Sequence, residues 1–138
     1  MTGLEIERNP GDHSEWRVHV AGLIAHHLDP ERFAVKAMYL IGSAKNASAG
    51  PVSDIDLLIH FNGTESQRDA LLCWLEGWSL CLDEWNRIRT GRQTGSLLDV
   101  HIITDTDIAA RTSYAVRIDA TTDPARPLPL TKAKSARA

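Results

Sequence analysis

The chain has 138 residues, of which 43% are hydrophobic and 24% charged, enough for one soluble core and no second domain. Its formal net charge is −3, and leaving out Lys132, Lys134 and Arg137 of the C-terminal tail puts residues 1–130 at −6, which disfavours a DNA or RNA polymer as partner because phosphate neutralisation drives that binding. No apolar run reaches the ~18 residues of a membrane span and the N-terminus has no basic stretch ahead of an apolar one, so a membrane role is excluded and the expected location is the cytoplasm.

Residues 1–13, with Asn9-Pro10-Gly11, read as a flexible start, and residues 14–120 as the folded domain. Ser14 can cap a helix through about Leu28, with Trp16, Val20, Leu23, Ile24 and His27 on one stripe. Asp29-Pro30 ends it. Val35–Ile41 is a first strand. Ser43 is placed to cap a short helix that Gly50-Pro51 would stop. A second strand runs from Asp54 to Phe61, followed by a turn at Asn62-Gly63-Thr64 and a capping box between Thr64 and Gln67. The long helix beyond it reaches about Arg89 and ends at Thr90-Gly91. Its expected core stripe is Leu71, Trp74, Leu75, Trp78, Cys81, Leu82, Trp85 and Ile88.

Cys73 and Cys81 lie about 12 Å apart along that helix, too far for a disulfide, and read as reduced packing residues. Arg87, Arg89 and Arg92 suit the helix C-terminus. A third strand is expected over Ser96–Ile103, a short helix capped by Thr104 or Asp105 through Arg111, and a short edge strand at Val116–Ile118. Residues 121–138 read as an extended Pro-rich segment with a basic tail, in which the exposed Pro127-Leu128-Pro129-Leu130 is a candidate docking element.

The chemistry concentrates in two places. Met38-Tyr39-Leu40-Ile41 runs into Gly42-Ser43, and after nine intervening residues comes Ser53-Asp54-Ile55-Asp56. Residues i and i+2 of a strand share a face, which sets Asp54 and Asp56 side by side, roughly 7 Å apart at the backbone. Two such carboxylates repel unless a proton or cation intervenes, and Mg²⁺ is held by one or two carboxylates plus substrate phosphates. Gly42 admits a ligand close to the backbone, and free N–H groups beyond Ser43 suit a phosphate. In the third strand Asp99 shares a face with His101 and Ile103, opposite Leu98, Val100 and Ile102. If the two strands are neighbours, Asp54, Asp56 and Asp99 converge on one open sheet surface. His60 and His101 lie on that face too and read as structural, as do His26-His27 and the tryptophans.

Gly42-Ser43 followed by Ser53-Asp54-Ile55-Asp56 resembles the signature of the polymerase-β-like nucleotidyltransferase superfamily, most closely its minimal stand-alone members, over about residues 35–105. The resemblance implies an α/β (α+β) nucleotidyltransferase fold, a small mixed β-sheet with helices mainly on one face. It implies that Asp54 and Asp56 hold two Mg²⁺ ions, that Asp99 completes the catalytic one, and that Gly42, Ser43, Lys45 and Ser53 serve the triphosphate. Minimal members commonly carry Arg soon after Gly-Ser, where this chain has Ala44-Lys45; Lys neutralises phosphate as a point charge without the Arg fork.

The implied reaction moves a nucleoside monophosphate, AMP from ATP by analogy, to a hydroxyl of a small molecule or a cognate protein, releasing pyrophosphate. A second copy or a partner chain would complete the acceptor wall. The alternatives are a catalytically silent nucleotide-binding or regulatory module of the same fold, and a glycosyltransferase using Asp-x-Asp with Mn²⁺, for which the chain is short.

Overall fold

The computed structural model describes residues 10–46, 48–50, 52–92, 95–120 and 123–131; the expectations for residues 1–9, for Pro51 and for the basic tail 132–138 lie outside them. The elements in chain order are α1 (Pro10–His27), β1 (Val35–Ile41), α2 (Gly42–Lys45), β2 (Ile55–Phe61), α3 (Glu65–Thr90), β3 (Leu98–Ile103), α4 (Asp105–Ala110), a 3₁₀ helix (Ala115–Asp119) and β4 (Arg126–Leu128). They form a mixed four-stranded sheet in the order β3-β2-β1-β4. β1 runs antiparallel to β2 and to β4, and β2 runs parallel to β3, with α3 as the crossover that parallel neighbours require.

Strand alternation sets the layers. Ile55, Leu57, Ile59 and Phe61 all enter the main core with Ala21, Ile24 and Ala25 of α1, Leu28 just beyond it, and Leu71, Leu75 and Leu82 of α3. Leu98 joins them from β3, with Val100 and Ile102 packed against the cluster. Among the described residues the opposite face carries a small cluster of Ile41, Leu58 and Ile103 under Ala115 and Ala125. Helices thus cover mainly one face and leave the start of β2 and β3 open on the other.

The long helix has both caps read from the sequence: Thr64 and Gln67 form the capping box, and Gly91 closes the C-terminus at φ 76°. Its buried face differs from the expected one. From residue 79 onward the buried positions are Ser79, Leu82, Asp83, Asn86 and Arg89, while Trp85 is 50% and Ile88 59% exposed. The periodicity of apolar residues marked the wrong side because this half packs polar groups inward. Arg89 lies over the Trp16 and Trp85 rings, 5.1 and 5.5 Å from their centroids. Cys73 and Cys81 are free, as expected, but exposed rather than packed.

Ser79 shows what the polar face does. Its Oγ accepts the backbone N–H groups of Leu97 and Leu98, both at 3.1 Å, and so fastens the start of β3 to α3. Ser79→Ala strands two buried donors and is expected to lower stability by about 1–3 kcal/mol, read as a shifted midpoint of urea unfolding.

Three further readings need correction. The inward stripe of α1 is Ser14, Arg17, Ala21, Ile24 and Ala25, continued by Leu28 just past its end, whereas Leu23 and His27 face solvent. Residues 115–119 form a 3₁₀ helix rather than an edge strand, because β4 already occupies the open edge of β1 and Ala115 drops onto the sheet face instead. The Pro-rich segment, expected to be exposed, supplies that edge strand: Leu128 enters the core, while Pro127, which has no N–H to give, sits opposite Tyr39 on the outermost strand. Among the described residues no helix is long and apolar enough to cross a membrane.

Candidate active site

Three strand ends meet at one edge of the open face. β1 finishes at Ile41, which pairs with Asp56 across the antiparallel ladder, and Asp56 pairs with Asp99 across the parallel one. Asp54 precedes β2, two residues before Asp56. The turn that delivers it is closed by Ser53, whose hydroxyl accepts the Gly50 N–H at 2.9 Å and whose own N–H donates to the Gly50 carbonyl at 3.2 Å.

Gly42 begins α2 directly after β1, at φ 80°. A Cβ built there would lie 2.1 Å from Asp56 Oδ2 and 3.0 Å from its Cγ, so the backbone rests against the carboxylate and only glycine fits. The helix beyond is a single turn, Gly42–Lys45, capped by the backbone of Ile41 without a side-chain bond; Ser43 therefore lies inside the turn rather than capping a longer helix. Ala44 is buried beneath it.

The carboxylates crowd. Burial pushes the Asp56 carboxyl from 3.8 up to about 6, helped by a hydrogen bond and charge repulsion from Asp99 and by the charge of Asp54, with His101 pulling the other way. Asp54 is raised as well, by burial and then by Asp99, and Arg17 opposes the shift. Among the described residues Asp56, Asp99 and His101 each offer a ligand atom within 4.8 Å of the other two. His101 Nε2 lies 3.2 Å from Asp99 Oδ2, and its ring stacks on Tyr114 with centroids 4.2 Å apart.

This donor set fits a divalent cation. Hard carboxylate oxygens suit Mg²⁺, Ca²⁺ or Mn²⁺, whereas imidazole suits the later transition metals, so Mg²⁺ would rest on the carboxylates alone. A cation would also relieve the repulsion that raises Asp56. Asp54, read from the sequence with Asp56 and Asp99, stands outside the three-residue group; His101, read as structural, is inside it.

The remaining residues have definite places. Lys45 Nζ is 2.7 Å from Asp123 Oδ1, with the lysine side chain only 12% exposed. His60 is committed to Asp105 at 2.7 Å, further along β2 and away from the acidic group, and Lys36 completes that network at 3.3 Å. Arg87 pairs with Glu84 on its own helix.

Arg17 escaped notice in the sequence. It is fully buried in α1, its Nε donates to the Ser53 carbonyl at 3.0 Å and its guanidinium to the His13 carbonyl at 2.9 Å. The signal was available: Ser14, Arg17, Ala21, Ile24, Ala25 and Leu28 recur at three- and four-residue steps, but an arginine in that stripe counts against it when only apolar residues are scored. Tyr114 carries no local motif; only the fold brings it against His101.

A family model described as a nucleotidyltransferase domain matches residues 29–117, well over half of the chain and the whole stretch from β1 through α4. No curated protein and no solved structure matches the chain.

Proposed function

The chain belongs to the nucleotidyltransferase domain family, and from that premise we propose that it transfers the monophosphate of a nucleoside triphosphate, ATP by analogy, to an acceptor hydroxyl with release of pyrophosphate. The observation that carries the reading is the abutment of Asp56 and Asp99 across β2 and β3 directly beside the Gly42 backbone. Carboxylates for a cation, with a glycine turn packed directly against them, are the arrangement a metal-bound triphosphate calls for.

Asp56 and Asp99, with Asp54 alongside, are the residues that would hold divalent ions, Mg²⁺ by resemblance; when bound, these would neutralise the triphosphate and the charge that builds up on it during transfer. The chain's own groups do the rest. Gly42 lets the turn at Ser43 lie against the Asp56 carboxylate, and the buried Arg17 holds the Ser53 carbonyl and with it the position of Asp54. Asp99, the more exposed carboxylate, accepts the proton of the acceptor hydroxyl as that oxygen bonds to the α-phosphorus and the bond to pyrophosphate breaks. The acceptor is a hydroxyl on a small molecule or on a protein, reached from the open face of the sheet.

A second reading, a silent nucleotide-binding module, draws support from Ala44-Lys45 after Gly-Ser and from the engagement of Lys45 by Asp123. One experiment separates them: ATP titrated into the native chain with and without Mg²⁺, with pyrophosphate assayed over time in the presence of a panel of hydroxylated small-molecule and protein acceptors. Mg²⁺-dependent binding with pyrophosphate release is expected, and Asp99→Asn should cut release by at least ~100-fold while leaving the fold intact. Binding without pyrophosphate at any acceptor would support the silent module, and no binding would remove the nucleotide reading.

A further inference from the structure

Asp123 sits where two cations from different elements converge. Lys45 at the end of α2 reaches its Oδ1 at 2.7 Å, and Arg117 of the 3₁₀ helix donates to its Oδ2 at 3.1 Å. The Asn46 side chain adds a hydrogen bond, and the three together hold the Asp123 carboxyl below its usual range. The residue adopts φ 50°, a left-handed backbone that a non-glycine residue rarely accepts. The Lys45 side chain is 12% exposed and its Asp123 partner 44%, so the contact lies at the surface with the lysine stem packed beneath it.

The same turn of helix begins at Gly42, against Asp56. Lys45 is therefore about 4.5 Å along the axis from the residue that touches the acidic group. The geometry amounts to two cations from α2 and the 3₁₀ helix gathered on one carboxylate of the chain itself.

We propose that Lys45 and Arg117 bind the terminal phosphates of the nucleoside triphosphate, and that Asp123 is a built-in competitor for them. The inference rests on the nucleotidyltransferase reading for the identity of its ligand, but the anion site itself does not. A planar guanidinium and an ammonium suit phosphate oxygens as well as they suit a carboxylate. Arg117 supplies the fork that Lys45 lacks, so an arginine absent after Gly-Ser is replaced from elsewhere in the fold. While Asp123 holds both cations, the apparent affinity for phosphate is reduced by the fraction of molecules in which they are free.

The test is calorimetric titration of inorganic pyrophosphate into the full chain with chelator present, so that no divalent ion takes part. Asp123→Asn should bind about tenfold more tightly than the native chain. The gain should vanish in Asp123→Asn/Lys45→Met and in Asp123→Asn/Arg117→Met, and should persist when Asp56→Asn is added. Asp105→Asn removes one negative charge from the separate cluster of Lys36 and His60, and should leave affinity unchanged. A native-like fold in Asp123→Asn with no gain, or an equal gain in Asp105→Asn, overturns the proposal.

Lys45→Met alone gives an independent reading if Asp123→Asn does not fold. Pyrophosphate affinity should fall about tenfold, and an unchanged affinity would overturn the site. If the pyrophosphate results hold while the native chain fails to bind Mg²⁺–ATP, the anion site stands and the nucleotidyltransferase reading falls. The converse pattern leaves that reading intact and removes Arg117 and Asp123 from it.

Discussion

Asp56→Asn is expected to make the metal-free protein more stable at pH 7 and to abolish its Mg²⁺-dependent nucleotide binding. Asp56 titrates at about 6 in the fold against 3.8 ordinarily, mainly through burial and then through Asp99. A raised carboxylate means that the folded state holds the proton more tightly than the unfolded chain. Its stabilising contribution is therefore complete below pH 3.8 and is lost as pH rises through about 6. The full shift is worth up to ~3 kcal/mol, and solvent screening at this half-exposed site brings it to about 1–2 kcal/mol.

An amide at position 56 carries no charge and can still donate to Asp99. The variant should then melt above the native chain at pH 7 and converge with it near pH 4. Mg²⁺ is expected to reverse the order, because a cation that binds only the folded native site stabilises it by mass action. Thermal melts of both proteins at pH 4 and pH 7, with and without Mg²⁺, check all three statements. A native chain more stable than the variant at pH 7 without metal would show that the carboxylates do not repel as their packing requires.

Gly42→Ala should reduce nucleotidyl transfer by at least ~100-fold, the penalty typical of a reacting group moved by about an ångström. The new methyl would fall 2.1 Å from Asp56 Oδ2, well inside contact distance, at a backbone angle of φ 80° that L-residues avoid. The left-handed backbone alone accounts for about 1–2 kcal/mol of lost stability. The clash adds to it or turns the carboxylate away from Asp99 and His101. Asp56 is short, so it can yield only by leaving the group. A double-mutant cycle with Asp56→Ala isolates the contact: removing the carboxylate should restore part of the stability that Gly42→Ala loses, a coupling expected only for touching residues. Simple additivity of the two losses would mean that Gly42 is retained for its backbone angle and not for its proximity to Asp56.

How much of this was legible beforehand varied with the kind of information required. The capping box at Thr64 and the left-handed close at Gly91 are written in a few adjacent residues and appear where those residues stand, while the helix start left between Thr104 and Asp105 falls to Thr104. The faces of β2 and β3 follow from alternation alone: Ile55, Leu57 and Ile59 turn to the core, and Asp56 and His60 away from it. The buried half of α3 did not follow, because Asp83, Asn86 and Arg89 occupy positions that apolar periodicity cannot announce. The single turn of α2 and the 3₁₀ helix were likewise misread, one as a longer helix and the other as a strand, since a short segment takes whatever shape its neighbours leave it.

The amino-acid order by itself determined the two halves of the candidate site, Gly42-Ser43 and Asp54-Ile55-Asp56, together with the strand that carries Asp99. Spacing along one chain is local, and a strand's period of two decides direction without reference to anything distant. Only the tertiary structure decided which groups share the site. The parallel register sets Asp99 against Asp56, β3 brings His101 within reach of both, and the 3₁₀ helix with the segment entering β4 carries Arg117 and Asp123 to Lys45. Those residues come from segments far apart in the chain, and their approach is fixed by strand pairing and core packing, which no local spacing encodes.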